Sequence, residues 1–138
     1  MKNKIFPSSI LVCCILLFAC DENDVMPSYA KKGSTTATVA SVTASNTSPL
    51  AGQSIKVTLD FVNPASDPVE TIVLRAKVGA GGYTDLQTFD EQSSAKDVEI
   101  SREVTYVTPA TPTTVTFEMV ISSQKEYAQI NRTSISVK

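Results

Sequence analysis

Three stretches of this chain alternate apolar and polar side chains with a period of two. In residues 54–63, Ile55, Val57, Leu59 and Phe61 fall on one face and Ser54, Lys56, Thr58 and Asp60 on the other. In residues 70–79, Ile72, Leu74, Ala76 and Val78 alternate with Thr71, Val73, Arg75 and Lys77. In residues 113–122, Val115, Phe117, Met119 and Ile121 alternate with Thr114, Thr116, Glu118 and Val120. A strand points successive side chains to opposite faces, so each stretch presents one face to a core and one to water; a helical repeat would not separate the sets this way.

Weaker runs fill the gaps. Residues 37–45 carry Val39 and Val42, a spacing that implies a kink. Residues 97–107 carry Val98, Ile100, Val104 and Tyr106, with Arg102 interrupting the apolar face, as a bulge or an edge strand allows. Residues 132–138 end with Ile135 and Val137, and residues 84–91, with Leu86 and Phe89, fit either a short strand or one helical turn. Turn signals separate the runs: Ser48-Pro49, Asn63-Pro64, Asp67-Pro68, the glycines from Gly79 to Gly82, and Pro109 with Pro112. Six or seven short strands at this spacing predict an all-β antiparallel sandwich, with a small β-barrel as the alternative.

The N-terminus follows a different rule. Lys2 and Lys4 open the chain, Ile10 to Ala19 is an apolar run, and Ala19 precedes Cys20. That is the layout of a secretory signal, and the run is shorter than the roughly 20 residues a membrane span needs. Leu17, Phe18, Ala19 and Cys20 resemble a bacterial lipobox, which implies acylation of Cys20 and cleavage before it. The acidic cluster Asp21, Glu22, Asn23 and Asp24 resembles the surface-export signal of Bacteroidota-type lipoproteins. These resemblances imply an outer-membrane lipid anchor facing the cell surface, with a periplasm-facing anchor as the alternative. The expected organisation is a signal peptide over 1–19, a lipidated cysteine and tether over 20–36, and one domain over 37–138. Strand order and length in that domain resemble bacterial immunoglobulin-like domains, without the Cys-Trp-Cys core of antibody domains.

Composition narrows the chemistry. All three cysteines lie within the first twenty residues, so the domain has no disulfide framework. There is no His in the chain, which removes Ser-His-Asp and Cys-His nucleophiles and leaves few ligands for zinc, copper or iron. The glycine-rich run at 79–82 lies between two β runs, where a hairpin turn explains it and a phosphate cradle does not. No cofactor and no metal site are therefore expected. Losing Lys2 and Lys4 with the signal leaves ten basic against fourteen acidic residues, a balance that repels nucleic acid. Paired carboxylates among Asp85, Asp90, Glu91, Asp97 and Glu99 are the remaining catalytic equipment; ordinary surface charge accounts for them, and the chain is expected not to be an enzyme.

Binding remains. In a sandwich whose strands alternate in direction, the loops at 63–69, 92–97 and 122–131 share one end. Asn63, Pro64, Asp67 and Pro68 in the first, and Gln124, Lys125, Glu126 and Tyr127 in the last, with Arg132 at its exit, are the candidate contact residues. The expectation is a lipoprotein binding an extracellular or periplasmic macromolecule through this end. Asn63-Pro64 and Gly79-Ala80-Gly81-Gly82 resemble two of three loop motifs in chagasin-type peptidase inhibitors. The third, Arg-Pro-Trp, is absent, and the strand count puts the two at opposite ends, so those roles are not carried over. Another kind of inhibitor, with Lys125 or a neighbouring loop residue entering a peptidase pocket, stays open. So do a structural or adhesive surface role and an accessory glycan binder using Tyr83 or Tyr127 as a platform.

Overall fold

A computed structural model describes residues 39–124 and 128–138. The signal, Cys20, the acidic cluster Asp21–Asp24, the tether, and Lys125, Glu126 and Tyr127 lie outside the described residues. Seven strands form two antiparallel sheets: β1 (Ala40–Ala44), β2 (Ser54–Val62), β3 (Val69–Val78), β4 (Tyr83–Asp90), β5 (Glu99–Val107), β6 (Thr113–Ser123) and β7 (Ala128–Val137). One sheet has the order β1-β2-β5 and the other β4-β3-β6-β7. The fold is an immunoglobulin-like β-sandwich, and the sheets do not close into a barrel. No helix occurs among the described residues.

The alternating apolar sets become the two inner faces. Ile55, Val57, Leu59 and Phe61 of β2 meet Ile72, Leu74 and Ala76 of β3 and Val115, Phe117, Met119 and Ile121 of β6, all buried. Tyr106 of β5 meets the ring of Phe117 edge-on, with centroids 4.9 Å apart and planes at 87°. Burial raises the Tyr106 phenol above its ordinary value. Its contribution is thus fully present below about pH 10 and is lost as the pH rises through the higher folded value. Tyr106→Phe should therefore lose less thermal stability than wild type between pH 8 and 11; equal losses would show that this phenol contributes nothing to alkaline unfolding.

Several boundaries differ from the sequence reading. The kink expected between Val39 and Val42 is absent: β1 starts at Ala40, its inner face is Ala40, Val42 and Ala44, and Val39 is 76 % exposed before the strand begins. The ambiguous 84–91 run is the edge strand β4, with a register shift opposite Leu74 and Arg75 that leaves Leu86 at the surface. The largest correction concerns β7. It starts at Ala128 rather than 132, so the expected 122–131 loop shrinks to residues 124–127 and Arg132 lies inside a strand. The cause is a polar inner face: Gln129, Asn131 and Thr133 stand opposite Ile121, Met119 and Phe117, which hides the alternation.

Gly79 turns the β3–β4 hairpin with φ +54°, a left-handed conformation that glycine adopts without strain. At the other end of the sandwich, Asp97 takes φ +56°, a region that Asp tolerates better than most residues.

Candidate functional site

The three loops expected to share one end do so, and several polar side chains there hydrogen-bond across and within the loops, mostly to backbone. Asn63 Oδ1 accepts from the Val69 amide at 2.9 Å, and Asn63 Nδ2 donates to the Ser94 carbonyl at 3.4 Å. The Asp97 amide donates to the Asn63 carbonyl at 2.8 Å, while Asp97 Oδ1 accepts from the Ala65 amide at 2.9 Å. Ser123 Oγ donates to Asp67 Oδ2 at 2.9 Å, and the Gln124 amide donates to the Pro68 carbonyl at 2.9 Å. Asn63 and Asp67 are buried, so they hold the loops together from inside. Pro64 and Pro68 fix φ on either side of that turn and stiffen it. The chain enters at this same end, since the Val62 amide donates to the Val39 carbonyl at 2.9 Å.

A different surface gathers charge. Alternation in β3, β6 and β7 puts Arg75, Glu118 and Arg132 on the outer face of the four-stranded sheet. The register sets them side by side, with Asp85 of β4 beyond Arg75. The row reads Asp85, Arg75, Glu118, Arg132, alternating in sign across four strands. Arg75 Nη2 donates to Glu118 Oε1, and Arg132 Nε donates to Glu118 Oε2 at 2.6 Å. Glu118 is 1 % exposed although it points away from the core, because two guanidinium groups cover it; Arg132 remains 56 % exposed. The hydrogen bond to Glu118 raises the Arg132 pKa, and a smaller contribution comes from Tyr83. Next to this row, Val120 is also buried on the outer face, flanked by Val73 and Ile130 in register.

Tyr83 opens β4 on the sheet edge, yet it interacts with Arg132 on the opposite edge strand. The Arg75 guanidinium carbon lies 4.9 Å from the ring centroid and Lys77 Nζ 5.8 Å, both within cation–π range. In the adjacent row, in register with Lys77, Thr116 and Ser134 share a hydroxyl hydrogen bond of 2.9 Å. Of the sequence candidates, Arg132 and Tyr83 join this cluster, which sequence reading did not assemble. Arg75, Lys77 and Glu118 were legible there as outward residues only.

The five candidate carboxylates do not converge. Glu91 is buried and held by Arg102 Nε and Nη2 at 2.8 and 2.9 Å and by Ser94 Oγ. Asp97 serves the loop turn, Asp90 accepts from the Gln92 amide, and Glu99 stands on the other sheet. Arg102 lies on edge strand β5, as an interrupted apolar face allows, and its inward guanidinium meets Glu91. Among the described residues, no three Asp, Glu, Cys or His side chains group as metal ligands.

No protein-family model matches the chain, and no curated protein matches it. Solved structures do share its fold. A superoxide reductase (neelaredoxin) from Ignicoccus hospitalis superposes with a TM-score of 0.51 at 13 % identity, covering 72 % of this chain and 80 % of that one. A single-substitution form of the same reductase gives 0.51 at 12 % identity, with the same coverage. The sporulation control protein Spo0M from Bacillus subtilis gives 0.54 at 16 % identity, covering 74 % of this chain and 49 % of that one. The chain thus spans about half the length of Spo0M. At these identities the likeness defines the class, a β-sandwich domain, and carries no function with it.

Proposed function

We propose that this chain is a non-catalytic binding module, exported as a lipoprotein and held on the outer membrane at the cell surface by acyl chains on Cys20. It engages an extracellular or periplasmic macromolecule with the outer face of its four-stranded sheet. The observation that carries this reading is the charged row Asp85, Arg75, Glu118 and Arg132 with the Tyr83 ring packed against Arg75. Its ion pairs preorganise two arginines and a tyrosine on rigid strands, which lowers the ordering cost of binding.

The place where the chain enters favours the sheet face over the loop end. Cys20 and Val39 are joined by a segment reaching at most about 65 Å at full stretch, and it enters at the loop end. That end forms the root of the domain, and Asn63, Asp67 and Asp97 there are occupied in holding the loops together. Lys77 and Tyr83 lie near the other end of the strands, about 27 Å further along β3 from Val69, where a macromolecule has access to an anchored domain.

The test is binding of the full chain, purified in detergent, to native envelope material. Lys77→Gln with Arg132→Gln should weaken that binding by about tenfold or more, the effect of losing charge-assisted hydrogen bonds. Ala65→Arg with Gln92→Glu, at the loop end, should leave it unchanged. The opposite pattern would place recognition on the loops and refute the proposed face.

A further inference from the structure

The chemistry of this face goes further than its position. Arg75, Lys77 and Arg132 stand with Glu118 and Asp85, so this end of the face carries one more positive than negative charge, while Asp90 stands on the same face nearer the loop end. Glu118 neutralises part of the positive charge, between Arg75 and Arg132. Among the described residues Lys77 Nζ meets no carboxylate and lies over the Tyr83 ring. Arg132 donates to Glu118 through Nε, and more than half of its side chain stays in water with further donors.

On one side of the charged row the face is hydroxylic, and on the other it carries the apolar strip Val73, Val120 and Ile130. Thr114 and Thr116 of β6 and Ser134 and Ser136 of β7 pair across the ladder beside the charged row. The large exposed hydrophobic residues of the described chain are Val39, Leu50, Val78, Leu86, Val98, Val107 and Ile130. Ile130 is on this face, beside Val73 and the fully buried Val120, and the others are spread over both sheets and both ends, so the face has a narrow apolar strip but no broad apolar centre of the kind protein interfaces bury. One aromatic ring, free cationic donors and hydroxyls suit a sugar instead. The C–H face of a pyranose packs on a tyrosine ring, and a carboxylate or sulfate takes charge-assisted bonds from Lys and Arg.

We infer that the outer face of the four-stranded sheet binds an anionic polysaccharide, one pyranose packing on Tyr83 while its acidic group bonds Lys77 and Arg132. This rests on the reading that the face is the recognition surface. It adds the ligand class, and the two fail separately.

The experiment is affinity electrophoresis of the full chain in detergent through gels containing polygalacturonate, dextran sulfate or neutral dextran. Retardation by polygalacturonate assigns a carboxylate, retardation by dextran sulfate alone assigns a sulfate, and dextran should not retard. Lys77→Gln should weaken the retarding interaction by about tenfold or more. Tyr83→Ala should weaken it about three- to tenfold, while Tyr83→Phe, which keeps the ring, should stay near wild type. Lys56→Gln, on the opposite sheet, is the control for general polyelectrolyte attraction and should change nothing. Equal losses in Lys56→Gln and Lys77→Gln, or full binding by Tyr83→Ala, would overturn the inference. So would absence of retardation in both acidic gels; if envelope binding then still depended on Lys77 and Arg132, the face would stand and the ligand would be an acidic protein.

Discussion

Arg102→Ala should lower the unfolding free energy by about 3–5 kcal/mol, the cost of stranding a charge inside a protein. Glu91 is 0 % exposed, and Arg102 holds both of its carboxylate oxygens. The pair joins the connection after β4 to strand β5, at the place where the chain passes from one sheet to the other. Taking away the arginine leaves the carboxylate desolvated with only Ser94 to satisfy it. Taking away the acid is milder, because Arg102 is 35 % exposed and can turn to water. Chemical denaturation should therefore rank Arg102→Ala below Glu91→Gln in stability, and the double variant should recover part of the loss. A single-variant cost under about 1 kcal/mol would mean that the pair acts like an exposed surface pair.

Phe117→Ala should cost a similar amount, about 3–5 kcal/mol, for a different reason. Phe117 is fully buried on the central strand β6, opposite Ala76 and Thr133 in its own sheet. From the other sheet Tyr106 meets it edge-on. Removing the ring leaves a cavity between two rigid sheets that cannot collapse far, so the transfer cost and the cavity cost add. For a domain near 100 residues, the melting temperature should fall by roughly 15–30 °C. Phe117→Leu, which retains most of the volume, should lose much less. If both variants melted together, shape at this position would not matter and the packing account would be wrong.

How much of this was legible in the sequence depended on where polar residues sat. β2, β3 and β6 alternate cleanly because each sends one face into the core and the other outward, and their inner residues were correctly placed except Val78, which is 42 % exposed at the end of β3. β7 was cut short because Gln129, Asn131 and Thr133 occupy inner positions at the sandwich margin, where apolar residues are not required. The sharing of one end by three loops followed from counting strands, since direction alternates with each one. That Asn63 and Asp67 turn inward did not follow, because hydrogen-bond partners 31 and 56 residues away leave no local signal.

The charged row was hidden for a similar reason. Arg75 and Glu118 read only as outward strand residues, and Arg132 as a contact residue at the exit of a loop. Only the pairing register of three strands makes them neighbours, and a shift of one residue would send each to the opposite face. Tyr83 was visible as an aromatic next to a hairpin. Its place against Arg75 and Lys77 depends on the pairing of β4 with β3, which periodicity does not encode.

Lysine acetylation footprinting, with the full chain alone and bound to native envelope material, tests the central claim most directly. The lysines report on separate surfaces: Lys77 on the outer face of the four-stranded sheet, Lys56 on the outer face of the other, Lys96 at the loop end and Lys138 at the opposite end. Recognition through the charged row predicts that binding shields Lys77 and leaves Lys56, Lys96 and Lys138 as reactive as before. Shielding of Lys96 with Lys77 still fully reactive would contradict it.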